Sequence, residues 1–359
     1  MKQLRVVVLL LALLALSAGA AGGAFAAEVQ YITLDEAIAI ALEKSPKIKS
    51  ARLELENARL AFEQTVSQAL MSPNPVARLQ AEADLDLATR NLALVQNQVR
   101  LEVAENFLAV RRLDNLVRVM KDSLALAERQ LAIAENRYAV GSAARVEIMR
   151  SANQVSNVSN TLLELEGNRN VALMAFRMSL GLELSDPVEP LAEELEPIDV
   201  DINVEEDVRF ALENRLEILR AQNGVEVARK QVELASNDYT PVIALNRAKV
   251  GLQMAEDGLA QAKKGIELEI RQMSEALLAN ERKLKVLAES IEVARETLEI
   301  TEEMYKAGVA ADVEVLGAQA SLTQAQTDYV NTLFDLHTAR VRYLHATARA
   351  LAGESGRVE

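Results

Sequence analysis

Through most of the chain, apolar residues return at steps of three and four, the period of an α-helix, and not at the step of two that marks a strand. In the second half, Leu284, Leu287, Ile291, Ala294, Leu298 and Tyr305 form a heptad seam. Val286, Val293 and Ile300 make a further stripe at steps of seven, offset around the same helix. The first half repeats both stripes, with Val117, Met120, Leu124, Ala127, Leu131 and Tyr138, and then Val119, Leu126 and Ile133. Two seams on one helix predict two neighbours, one on each side, which is how helices close into a cylinder.

The breaks in this pattern set out the elements. Thr33 and Asn203 each precede an acidic first turn and are candidate N-caps. One continuous helix is expected after each, to about Ser72 and about Asn237. The stretches LMSPNPVA and NDYTPVIA follow, and Pro73, Pro75 and Pro241 should end or bend a helix there. Long periodic segments come next, about Val76 to Ala139 and Val242 to Lys306, each predicting a helix of roughly 95 Å. Then Tyr138-x-x-Gly141 and Tyr305-x-x-Gly308 mark reversals, with glycine in the left-handed conformation. Third helices are expected to about Met178 and Ala350. The intervening stretch from Gly181 to Asp201 holds Pro187, Pro190 and Pro197 among acids and reads as an extended linker.

The elements occur twice because the sequence is written twice. Ile32, Asp35, Ala41, Leu42, Glu43 and Ala51 correspond to Ile202, Glu205, Ala211, Leu212, Glu213 and Ala221, all at one constant displacement along the chain. Ser123, Ala127, Leu131, Tyr138, Gly141, Val146 and Glu147 correspond to Ser290, Ala294, Leu298, Tyr305, Gly308, Val313 and Glu314, again at a constant but slightly smaller displacement. The first copy is thus a little longer between the two blocks. The expected divisions are a signal peptide at 1–27, a first helical repeat at 28–180, a linker at 181–203, a second repeat at 204–352 and a disordered tail at 353–359.

Composition supports long helices over a thick sandwich or barrel core: aromatics are 3%, Trp is absent, half the residues are apolar and 26% are charged. Lys2 and Arg5, the apolar run Val6 to Leu16 and the small residues ending at Ala27 read as an export signal. Its removal would take the formal charge from −14 to −16, which excludes a nucleic-acid footprint. The chain has no Cys, hence no disulfide frame and no thiolate chemistry. No later apolar run is long enough for a transmembrane helix. His337 and His345 lie eight apart with Asp335 nearby, a spacing unlike a metal motif. Asp35, Glu36, Glu205 and Glu206 sit where helices open. No Ser-His-Asp set or phosphate loop occurs, so the expectation is a protein that is not an enzyme and takes no cofactor or metal.

The tandem repeat, the signal and the phrases YAVGSAARVEIM at Tyr138 to Met149 and YKAGVAADVEVL at Tyr305 to Leu316 resemble the TolC family of outer-membrane efflux proteins, over about Val29 to Ala352. The resemblance implies an all-α protomer of tandem long hairpins. Three such protomers would form an α-barrel tunnel, a passive exit duct of a tripartite efflux or type I secretion system. A periplasmic adaptor would join it to an inner-membrane pump or ABC transporter. It also implies adaptor contact at the tips, here Val140, Gly141, Ser142, Ala307, Gly308 and Val309, with Tyr138 and Tyr305 anchoring the turns. Gate carboxylates fall on Glu147 and Glu314. The family's gate Arg falls on Ala310 and a further gate Asp on Gly317, so any ion pairing would use Arg145 or Arg150, set against Asp312 in the other copy. The larger departure is the missing barrel: neither LMSPNPVA nor NDYTPVIA can supply two spanning strands of about 9–11 residues and a turn. The expected location is the cell envelope, periplasm or outer membrane. The competing reading is a non-transporting coiled-coil scaffold in the envelope.

Overall fold

The computed structural model describes residues 29–69, 74–192, 195 and 202–349. The expected signal, the expected tail and part of the expected linker lie outside the described residues. In chain order the elements are β1 (Gln30–Ile32), α1 (Leu34–Lys44), α2 (Pro46–Ala69), α3 (Pro75–Ala139), α4 (Arg145–Ser179), β2 (Val188–Pro190), α5 (Val204–Asn214), α6 (Leu216–Ala235), α7 (Val242–Lys306) and α8 (Asp312–Ala346).

The helices begin where their caps dictate. Thr33 Oγ1 accepts from the Glu36 backbone N–H at 3.3 Å, while Glu36 Oε2 accepts from the Thr33 N–H at 2.9 Å, a reciprocal capping box. Asn203 Oδ1 accepts from the Glu206 N–H at 3.3 Å in the second copy. The long helices α3 and α7 have 65 residues each, or roughly 97 Å of rise. Helix α8 stops at Ala346, a turn short of the expected Ala350.

The first helix of each copy is not continuous. Ser45 (φ −60°, ψ 125°) separates α1 from α2, and Arg215 (φ −73°, ψ 135°) separates α5 from α6. In the first copy Pro46 dictates the break by forcing the preceding residue out of the α region. In the second, Leu216 occupies that place and side chains hold the bend. Arg215 Nη1 donates to Glu269 at 2.6 Å and to the Ala346 carbonyl at 3.4 Å, and Arg215 Nη2 donates to Glu217 at 2.9 Å. The bend is a tertiary product there, invisible to the heptad pattern.

Side by side the helices run α4, α3, α8, α7 in the half that carries the turns. In the other half α2 takes over beside α3 and α6 beside α7, with α3 also meeting α6. The two seams of α3 are thus satisfied within the chain. Val119 packs with Val330 and Phe334 of α8, and Leu126 and Ile133 pack with Leu298, Tyr305, Val315 and Leu322.

Two pseudo-equivalent cores sit at mid-length, where the short helices fold over the long ones. One gathers Ile32, Ala41, Ile48, Val103, Phe107 and Phe176, with Phe107 and Phe176 edge to face at 5.9 Å. The other gathers Ala211, Ile218, Ile266, Ile270, Leu277 and Leu336. The linker adds what the periodicity does not forecast: β2 pairs with β1 in parallel, Gln30 opposite Val188 and Ile32 opposite Pro190. Arg169 clamps it, donating to Asp114 at 2.5 Å and Glu189 at 2.6 Å, and Arg177 Nε donates to the Val188 carbonyl at 3.1 Å. Among the described residues these two short strands are the only ones. The α2–α3 and α6–α7 junctions, from Ala69 to Pro75 and from Ala235 to Val242, are too short to hold a barrel hairpin.

Candidate functional site

The two turns lie at one end of the molecule. Gly141 (φ +77°) and Gly308 (φ +78°) are both left-handed, as their sequence context predicts. Each accompanies a matched pair of bonds: the Ser142 N–H donates to the Arg137 carbonyl at 2.8 Å and the Val309 N–H to the Met304 carbonyl at 2.9 Å. The next residue inward closes the other ring of a Schellman cap, from Gly141 to Tyr138 and from Gly308 to Tyr305. These caps push Val140 and Val309 outward as exposed apolar knobs beside the exposed Gly141, Ser142, Ala307 and Gly308.

Behind the knobs the two hairpins are tied to each other. Glu147, in the first turn of α4, uses both carboxylate oxygens. Oε1 accepts from its own helix's Ala144 N–H at 3.3 Å, and Oε2 accepts from the Tyr305 hydroxyl at 3.2 Å. Tyr305 is also gripped from α3: the Arg137 guanidinium lies 4.3 Å from its ring centroid and donates to its carbonyl at 3.2 Å. Burial, together with the Glu147 carboxylate, raises the phenol above its ordinary value against the opposing pull of Arg137.

One layer deeper, Asp312 opens α8 and is buried. Its Oδ1 accepts from Gln130 Nε2 of α3 at 2.8 Å and from Ser151 Oγ of α4 at 3.4 Å. Its Oδ2 is buried without a donor among the described residues, as is Gln319 Oε1 on the same helix. Thr323 Oγ1 donates to Ser123 Oγ at 3.0 Å farther along. A line of polar groups therefore runs through this seam beside the packing of Leu126 and Ile133, with acceptors in excess of donors. Such a joint holds while its pairs are made and gains less from staying shut than a wholly apolar seam of equal area.

Of the residues singled out in the sequence, Glu147, Tyr305 and Asp312 are brought together here. Arg145, Arg150 and Glu314 are exposed and make no ion pair among the described residues, and Tyr138 is 47% exposed where its repeat counterpart Tyr305 is 2% exposed. Arg137, Gln130 and Ser151 were not singled out. Gln130 did leave a trace: it lies at helical spacing with Ala127 and Ala134, a polar residue on a buried stripe. Arg137 left none, because its counterpart in the second copy is Met304.

Comparison with known proteins shows what the fold is similar to. Residues 74–182, which are α3, the first turn and α4, match the family model described as outer membrane efflux protein. Nodulation protein T of Rhizobium leguminosarum bv. trifolii is 20% identical over 292 residues, 68% of this chain and 62% of that protein. The match thus spans less than two thirds of that relative's length. The outer membrane protein VceC of Vibrio cholerae superposes with a TM-score of 0.76 at 17% identity, over 89% of this chain and 97% of VceC. The CmeC outer membrane channel of Campylobacter jejuni gives 0.74 at 13% identity, over 92% and 93%.

Proposed function

We propose that this chain, a TolC-type outer membrane efflux protein by its fold and by residues 74–182, serves as the exit duct of an efflux or secretion assembly in the cell envelope. Three copies close the helical wall, and a periplasmic adaptor meets the turns around Val140–Ser142 and Ala307–Val309.

One observation carries the reading. The second stripe of α3 (Val119, Leu126, Ile133) is packed against the other repeat, whereas its counterpart on α7 is bare: Val286 is 62% exposed, Val293 65% and Ile300 53%. Corresponding apolar stripes should be covered alike, so α7 lacks its neighbour. By the repeat, that neighbour is an α4. Val315 and Leu322 of α8 pack with Leu126 and Ile133, and their first-copy counterparts are Ile148 and Val155 on α4. An α7 edge meeting the α4 edge of the next copy is a head-to-tail contact, and such contacts close into a ring when the rotation between copies divides a full turn. The same operation sets Tyr138 of one copy against Glu314 of the next, repeating the Tyr305–Glu147 bond between protomers.

The absence of Cys makes the test clean. In Val155→Cys/Val293→Cys, oxidation should yield covalently closed trimers, with each single variant giving none. Monomers alone, with native mass by light scattering also monomeric, would overturn the ring. Removing residues 140–142 and 307–309 should leave the trimer's mass unchanged and abolish capture by an adaptor hairpin; undiminished capture would refute the tip assignment.

A further inference from the structure

In the second repeat the α5–α6 bend meets the end of α8 at a joint that the first repeat builds differently. A cavity of about 290 Å³ opens there, lined by Arg90 and Asn97 of α3, Arg215 and Glu217 of the bend, Glu269 of α7 and His345 in the last turn of α8. The His345 Nε2 is buried without a partner among the described residues. Just past it Ala348 is left-handed at φ +57°, its N–H donating to the His345 carbonyl at 3.0 Å and the Arg349 N–H to the Leu344 carbonyl at 3.0 Å, a Schellman cap. A residue with a Cβ is strained in that conformation. In the first repeat Gly181, at φ +72°, stands in the place of Ala348, with matching bonds to Met178 and from Leu182 to Arg177. Met178 takes the place of His345 and Ser45 that of Arg215, and Pro46 fixes the bend.

The carboxylates that act on the His345 ring are already engaged. Glu269 accepts from Arg215 Nη1 at 2.6 Å, Glu217 from Arg215 Nη2 at 2.9 Å, and Glu105 of α3 from Arg342 at 2.5 Å. Arg90, the other cation of the cavity, pairs with Asp86 at 3.2 Å, while Asp207 of α5 is held by the Tyr343 hydroxyl at 2.6 Å and by Arg349 at 2.7 Å. Burial, aided by Arg215, disfavours the charged ring against the pull of Glu217, Glu269 and Glu105. A proton forced onto it would leave a half-buried cation without a free counterion. The ring can gain one only by taking Glu269 or Glu217 from Arg215, and those are the bonds that hold a bend no proline fixes in this repeat.

We propose that acidification releases this one joint: protonated His345 displaces Arg215 from Glu269 and Glu217, freeing the α5–α6 bend and the last turn of α8 while the first repeat's joint stays closed. The cavity gives the ring room to turn, and the strain at Ala348 favours the released form. Asp207 keeps Tyr343, so the body of α8 remains on α5. The inference goes beyond the duct reading and does not depend on it, since every group involved lies within one chain.

Hydrogen exchange of the full chain, read by mass spectrometry at pH 7.5 and pH 5 and corrected for the pH dependence of intrinsic exchange, compares the two joints directly. Protection at residues 214–219 and 344–349 should fall about tenfold on acidification, the linkage expected of one suppressed histidine. Protection at 44–49 and 177–182 should not change. His345→Gln should match the natural chain at pH 7.5 and lose the acid response. Ala348→Gly should raise protection at 344–349 at both pH values and keep the response, which separates strain from titration. Equal loss at both joints, the mark of general acid loosening, would overturn the proposal. So would no loss at either joint, or an undiminished response in His345→Gln. Should His345→Gln not fold, the contrast between the two joints of the natural chain still decides. Covalent trimers of Val155→Cys/Val293→Cys alongside any overturning result would sink the acid release and spare the duct.

Discussion

Glu147 caps its own helix with one oxygen and receives the Tyr305 hydroxyl with the other, so substitutions there report on both roles. Tyr305→Phe removes only the cross-hairpin bond and should cost about 1 kcal/mol. Glu147→Ala removes the cap as well and should cost more, and the two together less than their sum, as a double-mutant cycle of denaturation midpoints would show. The raised Tyr305 phenol gives this tie a pH signature. An unfolded Tyr ionises near pH 10, so the associated stability is fully present below about pH 10 and is lost as pH climbs from there through the higher folded value. Alkaline melting curves should therefore fall more steeply for the natural chain than for Tyr305→Phe. At the turns, a Cβ on Gly308 would meet nothing within 4 Å, so only backbone strain opposes Gly308→Ala. A loss of about 1–2 kcal/mol is expected, with Gly308→Asn milder because Asn tolerates the left-handed region.

The bent first helix of each copy is one element made by two means. Arg215 already has the extended backbone that a residue before proline adopts, and Leu216 is the first residue of α6, where proline fits. Leu216→Pro should therefore keep the bend and lose only the packing of a buried leucine, whereas Glu226→Pro within α6 should cost about 3 kcal/mol or more. His345 packs near this joint, its ring Nε2 buried without a partner among the described residues. Burial, aided by Arg215, lowers its pKa against the pull of Glu217, Glu269 and Glu105. A depressed folded value means that stability is fully present above about pH 6.5 and is lost as pH falls from there through the folded value. Melting temperature measured from pH 7.5 to 4.5 should drop more for the natural chain than for His345→Gln.

At the scale of the whole molecule, the protomer is an arc of helices with two unsatisfied edges. The bare stripe on α7 contributes nothing to the isolated chain, so Val293→Asp should leave its helical content and melting intact. In the proposed ring the same change would bury a charge without a partner, and sedimentation should show the proposed trimers replaced by monomers. The complementary change Leu126→Asp falls on the stripe that is satisfied within the chain and should instead unfold the junction between the repeats. Equal behaviour of the two variants would contradict the assignment of inner and outer seams.

The tandem hairpins, the lengths of α3 and α7, the caps at Thr33 and Asn203 and the left-handed Gly141 and Gly308 were legible in the sequence, because each rests on local periodicity or on one residue's conformational limits. The bend at Arg215, the parallel pairing of β1 with β2 and the meeting of Gln130, Ser151 and Asp312 were not, since each depends on groups far apart in the chain that only folding brings together. The two copies illustrate the division best. Their apolar stripes fall at matching positions, and sequence alone determined that every long helix wants two neighbours. Only the tertiary structure decided that α3 finds both inside its own chain while α7 finds one, because a linear array of two hairpins must leave its ends uncovered.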